Sequence, residues 1–341
     1  MSWGHARSKD LMNWEELPIA IPEQPDHMIF SGSAVFDAKN NRLAAFYTAH
    51  REGNQSQHLA FSYDDGVTWQ LYEKNPVLDL NLAEFRDPKV FKYQEHWIMV
   101  VVKAKEEKIC FFASKDLINW EFLSDYSIPN LNHLYECPDL FQVDGKWALF
   151  LSTSPGGAAG GTGVHYVIGE FDGVNFGAES NCEYLDYGPD YYATVTFNES
   201  PERISIGWMN NWLYANDIER SPWHGSMTSA RKLSIVDGRL QQEFLAPAES
   251  FKIPETFNEF QFDYPEGAIK FRRVIKDGTS QIEVDRGELW PWQLKTFSIP
   301  AAGPLEIKAI FDAGSIELEI NGRFATALIE VGSDIPVLRL P

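Results

Sequence analysis

Cysteine is scarce in this 341-residue chain, and the three thiols, Cys110, Cys137 and Cys182, are scattered. That excludes a disulfide framework and a cysteine-based zinc cluster. Basic charge is also in deficit: 29 Lys and Arg stand against 49 Asp and Glu, leaving a formal net charge of −20. A nucleic-acid partner would select basic patches, and a polybasic membrane anchor needs the opposite sign. No run approaches the roughly 18 apolar residues of a spanning helix. Met1-Ser2-Trp3 opens without a basic start, an apolar core or a cleavage site, so a cytoplasmic location is expected. No segment sustains a 3.6-residue apolar period. Aromatic residues, by contrast, are abundant at 14%, with 11 Trp. With 44% apolar and 23% charged residues, the chain has the composition of a globular protein.

A loose repeat organises the first two thirds. Ser8-Lys9-Asp10-Leu11-Met12-Asn13-Trp14 returns as Ser62-Tyr63-Asp64-Asp65-Gly66-Val67-Thr68-Trp69, and nearly unchanged as Ser114-Lys115-Asp116-Leu117-Ile118-Asn119-Trp120. A fainter copy runs from Gly169 through Asp172 to Phe176, and the Asp-to-Asp steps are 54, 52 and 56 residues. Each copy is a polar turn followed by an aromatic residue. Between the copies lie short runs rich in β-branched and aromatic residues, such as 43–50, 96–104, 109–114, 146–153 and 165–171. A period near 50 residues with about four strands per unit predicts a β-propeller, with a large sandwich as the alternative. Further strands at 203–212 and 231–244 complete a fifth blade, so 1–245 is expected to be one domain. Asp10 has too few residues before it for a whole unit, and the first blade is expected to lack its innermost strand. Beyond a linker at 246–256, alternating strands and the Asn321-Gly322 hairpin signal predict an antiparallel β-sandwich over 257–341. The expected fold is therefore all-β: a five-bladed β-propeller with an incomplete first blade, followed by a C-terminal antiparallel β-sandwich.

Innermost strands converge on one axis. With starts at Gly32-Ser33, Asp87-Pro88, Cys137-Pro138 and Asp190-Tyr191, this geometry predicts that Ser33, Asp87, Glu136 and Asp190 line one funnel. Carboxylates and Trp in a funnel suit carbohydrate, and glycoside hydrolysis needs a proton donor and a second carboxylate. Glu136 lies between Tyr135 and Cys137, and apolar neighbours of that kind raise a carboxyl as a general acid requires. A surface loop Glu is the plain alternative. Asp87 follows Arg86, and an adjacent cation keeps an Asp ionised, which suits gripping hydroxyls. A turn Asp before Pro88 is the alternative there.

Arg86-Asp87-Pro88 and Glu136-Cys137-Pro138 resemble the paired motifs of glycoside hydrolase family 32, the invertases, levanases and inulinases. Trp3-Gly4-His5-Ala6 followed by Ser8-Lys9-Asp10-Leu11 is similar to that family's segment after its nucleophile strand. Phe30-Ser31-Gly32-Ser33 resembles a sugar-contact motif. Asp186 through Ala193 and Trp208-Met209-Asn210-Asn211-Trp212 are similar to later propeller motifs, and Phe311-Asp312 through Asn321-Gly322 resembles the hallmark of the family's C-terminal sandwich. The resemblance covers essentially the whole chain. It implies retaining cleavage of β-fructofuranosidic bonds in sucrose or fructans, with Glu136 as acid/base and Asp87 as transition-state stabiliser. It implies no metal or organic cofactor. The expected substrate contacts are Arg86, Phe30 and Ser31, Trp3 with Trp208 or Trp212 as sugar walls, and Ser33 and Tyr191 as hydroxyl contacts, with a core role as the alternative for each Trp and a turn or core role for Ser33 and Tyr191. The resemblance also implies a nucleophilic Asp in a Trp-Met-Asn-Asp-Pro-Asn-Gly segment before Trp3, which these residues do not include. Asp37, several residues into a strand before the Lys39-Asn40-Asn41 turn, is expected to face solvent, and Asp10 belongs to the repeated turn, so both are poor substitutes. The expectation is a fructosidase impaired in turnover, and the alternatives are a fructoside-binding pseudoenzyme and a truncated, inactive product. The expected partner is a small or polymeric fructoside, with a second copy of the chain covering the incomplete blade. The glycine-rich stretch at 156–161 lacks the Lys-Ser/Thr ending of a phosphate loop, and the eight His show no metal-ligand spacing.

Overall fold

Short alternating segments broken by Gly, Asn and Asp turns fold here entirely into antiparallel sheets. The computed structural model describes residues 1–218, 225–332 and 335–341. Apart from one 3-10 turn at Ala104–Glu106, the described regular elements are strands, arranged in seven sheets.

The first sheet is a hairpin of Trp3–Ser8 and Trp14–Ile21. The second is built on Met28–Asp37, Arg42–Arg51 and Asn54–Ser62. The third runs in order Phe85–Tyr93, His96–Lys103, Lys108–Ser114 and Glu121–Tyr126. The fourth is built on Leu134–Val143, Lys146–Ser154 and Gly163–Phe171, and the fifth on Tyr192–Thr196, Ile204–Met209, Arg231–Val236 and Arg239–Phe244. Neighbouring sheets from the second to the fifth pack face to face. Val35, Phe46 and Leu59 meet Val90, Met99 and Phe112; Phe91, Val100 and Phe111 meet Leu140, Leu149 and Val167; Phe141, Phe150 and Tyr166 meet Tyr191, Tyr192 and Leu233.

The repeated turn owes its recurrence to one hydrogen-bond pattern. Asp116 Oδ1 accepts from the backbone N–H of Ile118 and Asn119, and Ser114 Oγ accepts from that of Leu117. Asp10 and Ser8 bind Met12, Asn13 and Leu11 in the same way. Leu11 and Leu117 share the left-handed region at φ 61° and 69°. The aromatic after the turn then packs edge-on against the neighbouring sheet, as Trp120 does on Phe46 at 5.6 Å. Trp14, on the hairpin, is exposed.

The first strands of the second to fifth sheets stand side by side. Ser33 Oγ donates to the Pro88 carbonyl at 2.8 Å and accepts from Val90 N–H at 2.9 Å. Asp139 bridges Lys89 and the Thr196 N–H, and Asn198 Nδ2 reaches back to the carbonyls of Ala34 and Val90. These bonds close a ring of four inner strands.

The last two sheets share one apolar core that includes Ile253, Phe262, Phe271, Ile282, Ile307 and Leu318. One is Glu249–Ile253, Leu305–Asp312, Ser315–Ile320 and Arg323–Leu328; the other is Thr296–Pro300, Thr279–Asp285, Gly267–Lys276, Glu259–Tyr264 and Val337–Arg339. The stretch 246–256, expected as open linker, thus contains a strand, Glu249–Ile253, paired with Leu305–Asp312. Its Phe251 and Ile253 alternate into the core between polar Ser250 and Lys252. Pro247 and Pro254 bracket that strand without breaking it.

Candidate active site

The site is made by a fault repeated in four strands. Each first strand of the second to fifth sheets slips register at one place: between Ile29 and Gly32, Arg86 and Lys89, Glu136 and Asp139, Tyr192 and Val195. A bulge bends its strand and re-aims the side chain beside it. Asp87, Cys137 and Ala193 occupy the left-handed region there, at φ 65°, 45° and 49°. In the second sheet the chain passes so close to its neighbour that a Cβ on Gly32 would lie 1.9 Å from the Phe46 carbonyl oxygen.

Side chains at these bulges meet. Arg86 Nη2 donates to Glu136 Oε1 at 3.2 Å, and Arg86 Nη1 reaches Glu84 and Gln55. The other oxygen of Glu136 accepts from the Tyr192 hydroxyl. Asp87 Oδ2 accepts from Cys137 N–H at 2.9 Å, with the Cys137 thiol at 3.6 Å. Thr48 Oγ1 takes the Asp87 N–H at 2.9 Å and donates to Gln57, which donates in turn to the Phe85 carbonyl. That chain of buried bonds pins the left-handed turn at Asp87.

Beside the cluster opens a cleft of about 320 Å³ lined by Trp3, Ser31, Asp87, Lys89, Cys137 and Ala193, among others. Asp87 is the one carboxylate among its lining residues. Burial first, and the charge of Glu136 second, push the Asp87 carboxyl up to about 6, against the opposing pull of Arg86. The sequence neighbour Arg86 suggested an Asp held fully ionised; desolvation outweighs it. Glu136, expected among apolar neighbours, meets a guanidinium and a phenol instead. Burial pushes the Cys137 thiol well above its usual range, so it stays protonated and donates towards Asp87.

The remaining expected contacts divide. Trp3 lines the cleft, its indole N–H held by the Phe30 carbonyl at 2.9 Å. Ser31 lines the cleft also, while the Phe30 ring stacks on His50 at 4.4 Å. Trp208 and Trp212 lie 4.8 Å apart on the Tyr192 side, outside that lining, and Trp212 is half exposed. Ser33 spends its proton on Pro88, tying two inner strands together. Tyr191 is buried, its hydroxyl shared with Thr194 and its ring under Arg231 at 4.3 Å. Asp190, expected in the funnel, is buried against Arg286 at 2.7 Å and the Tyr214 hydroxyl. Asp37 is taken up by Asn40 and Arg42, and Asp10 by its own turn, so neither faces the cleft. Among the described residues, no group of three or more His, Cys, Asp and Glu side chains could hold a metal ion.

Sequence reasoning missed Tyr192 and Lys89. Arg86-Asp87-Pro88-Lys89, Glu136-Cys137-Pro138-Asp139 and Tyr192-Ala193-Thr194-Val195 occupy equivalent bulges, an equivalence that shows only once the strands are paired. Lys89 is fully buried at the floor of the cleft against Asp139 and Thr196.

Residues 1–244 match the model of the glycosyl hydrolases family 32 N-terminal domain. The chain belongs to glycoside hydrolase family 32. It is 42% identical over 256 residues to an invertase of Debaryomyces hansenii, covering 68% of this chain and 48% of that protein. It is 41% identical over 261 residues to a levanase of Bacillus subtilis, covering 69% of this chain and 39% of that one. The chain spans about half the length of the curated relatives it matches. The exo-inulinase of Aspergillus awamori superposes with a TM-score of 0.88 at 26% identity, over 99% of this chain and 86% of that one. The fructofuranosidase of Schwanniomyces occidentalis in complex with fructose gives 0.84 at 27% identity, over 99% and 87%.

Proposed function

We propose that this family 32 chain binds a terminal fructosyl unit in the cleft beside Asp87, and that Glu136 and Asp87 serve retaining cleavage of its glycosidic bond. The observation that carries the reading is the meeting of Arg86, Asp87, Glu136 and Tyr192 beside a cleft walled by Trp3. In this reading Glu136 protonates the leaving oxygen. Asp87, buried and partly relieved by Cys137, accepts fructosyl hydroxyls with charge-assisted bonds that tighten as positive charge develops on the ring. Substrates are sucrose or fructans, the chemistry in the names of its relatives.

The four ringed sheets and the hairpin form a five-bladed propeller over 1–245 whose first blade is reduced to two strands, and the last two sheets form a sandwich. Retaining cleavage also needs a carboxylate to attack the anomeric carbon, and among the described residues Asp87 is the one carboxylate that lines the cleft. Binding with little or no turnover is therefore the expected behaviour of this chain by itself, which is also what a fructoside-binding pseudoenzyme would show.

Calorimetric titration with fructose, sucrose and a short inulin tests the first part, with fructose release followed in parallel. Binding that is lost in Asp87→Ala is expected. Absence of any fructoside binding overturns the function. Rapid fructose release that disappears in Glu136→Gln overturns the expectation of little or no turnover.

A further inference from the structure

Ile29, Arg86, Glu136 and Tyr192 stand at equivalent places, each just before the bulge of its inner strand. Three of the four carry polar heads, and these three meet: Arg86 holds one oxygen of Glu136, Tyr192 the other. The charged and titratable groups around Glu136 are Arg86, Asp87, Cys137 and Tyr192, with Glu84 behind Arg86. Asp87 repels a negative Glu136; Arg86 and Tyr192 favour it.

The two grips differ in kind. A guanidinium has only donors, so it binds Glu136 Oε1 in one sense. A phenol has a donor and an acceptor on a rotating hydroxyl. Tyr192 is buried, and its burial and the charge of Glu136 raise its phenol well above 10, so it keeps its proton throughout the working range.

We propose that Tyr192 is a positioning residue that holds Glu136 in one orientation in both protonation states, and that the transferable proton resides on Glu136 Oε2. When Glu136 is ionised, Tyr192 donates to Oε2. When Glu136 is protonated, Oε2–H donates to the phenol oxygen, whose own hydrogen turns away. When Glu136 gives its proton to a leaving oxygen, the phenol turns back and stabilises the new carboxylate. Arg86 cannot follow that change, because it has no lone pair to accept with. The inference rests on the acid/base role of Glu136 for its meaning, but its physical content does not require turnover.

The test is a pH titration of the Glu136 side-chain carboxyl carbon by nuclear magnetic resonance in the full chain, assigned by loss of its signal in Glu136→Gln. Tyr192→Phe removes the hydroxyl and keeps the ring. Charge-assisted bonds are the stronger ones, so the ionised form loses more, and the titration midpoint is expected to rise by about one pH unit. A fluorinated tyrosine at position 192, a better donor, is expected to lower the midpoint and covers the case in which Tyr192→Phe misfolds. A merely structural Tyr192 would move neither midpoint, and unchanged midpoints in folded protein overturn the proposal. The titration reads out whether or not fructosides bind, so its failure is distinguishable from failure of the proposed function.

Discussion

Asp87 is buried, left-handed in its backbone, and faces both Arg86 and Glu136. Its carboxyl is raised from 3.8 to about 6. For a group raised on folding, the stabilising state is the protonated one. That contribution is complete below about pH 4 and is lost as pH rises through about 6. Asp87→Asn keeps the shape, tolerates the left-handed backbone and retains an acceptor for Cys137 N–H. Urea unfolding is expected to show the variant more stable by about 2–3 kcal/mol at pH 8, with the gain gone at pH 4; a gain of equal size at both values would show that ionisation is not its cause. The same group sets ligand binding: fructoside affinity is expected to fall as pH drops below about 6 and Asp87 loses the charge that grips hydroxyls, and calorimetry at pH 5 and 7 checks it. Sequence reading expected Asp87 and Glu136 in one funnel but not the raised carboxyl of Asp87. The motif puts Arg86 beside Asp87, while the decisive neighbours, Glu136 and the surrounding protein, lie far along the chain or come only with folding.

At the scale of the strand, the repeat was legible because it is local: each turn is closed by its own Ser and Asp. The bulges were not legible as bulges. They are defined by a slip against a partner strand, and no residue type marks them, since Asp87, Cys137 and Ala193 hold the same left-handed place. Aligning the fourth strand start on Asp190 rather than on Ala193 moved the expected site by three residues, exchanging buried Tyr191 and Asp190 for Tyr192. Likewise the strand Glu249–Ile253 was hidden by its flanking prolines and has meaning only against Leu305–Asp312. Gly32 tests the bulge as an element. A Cβ there meets the Phe46 carbonyl oxygen at 1.9 Å, and backbone cannot swing aside as a side-chain tip can. Gly32→Ala is therefore expected to cost more than about 3 kcal/mol, in the range of severe backbone or core lesions. It should also weaken fructoside binding, because Ser31, which lines the cleft, moves with the strand. Chemical denaturation and calorimetry check both, and a loss under about 1 kcal/mol would mean that this strand has room to give.

Across the whole molecule, the ring and the last two sheets are joined by buried charge. Arg231, without solvent exposure, binds Asp186 and Glu317 at 2.9 and 3.1 Å. Arg286, equally enclosed, binds Asp190 at 2.7 Å and the Leu328 carbonyl, and Leu328 N–H returns to Asp190 at 2.8 Å. Nothing in the composition showed this, because each partner is an ordinary charged residue tens of positions from the other. A buried pair is weak evidence of net stability, yet breaking one by removing a single partner costs about 3–5 kcal/mol. Such charges satisfied only across the boundary leave each half with buried ions when the other unfolds, so both halves should melt together. Scanning calorimetry of the full chain is expected to show one transition, and Arg286→Met to lower it by several degrees while keeping it single. The exposed Lys270–Glu288 pair is the control: Lys270→Met should cost no more than about 1 kcal/mol. Because Asp190 lies two residues before Tyr192, Arg286→Met should also loosen the phenol that holds Glu136, and the two effects should appear in the same variant. Two separate transitions in the parent chain would show instead that the ring and the last sheets fold independently and that the buried arginines only decorate their contact.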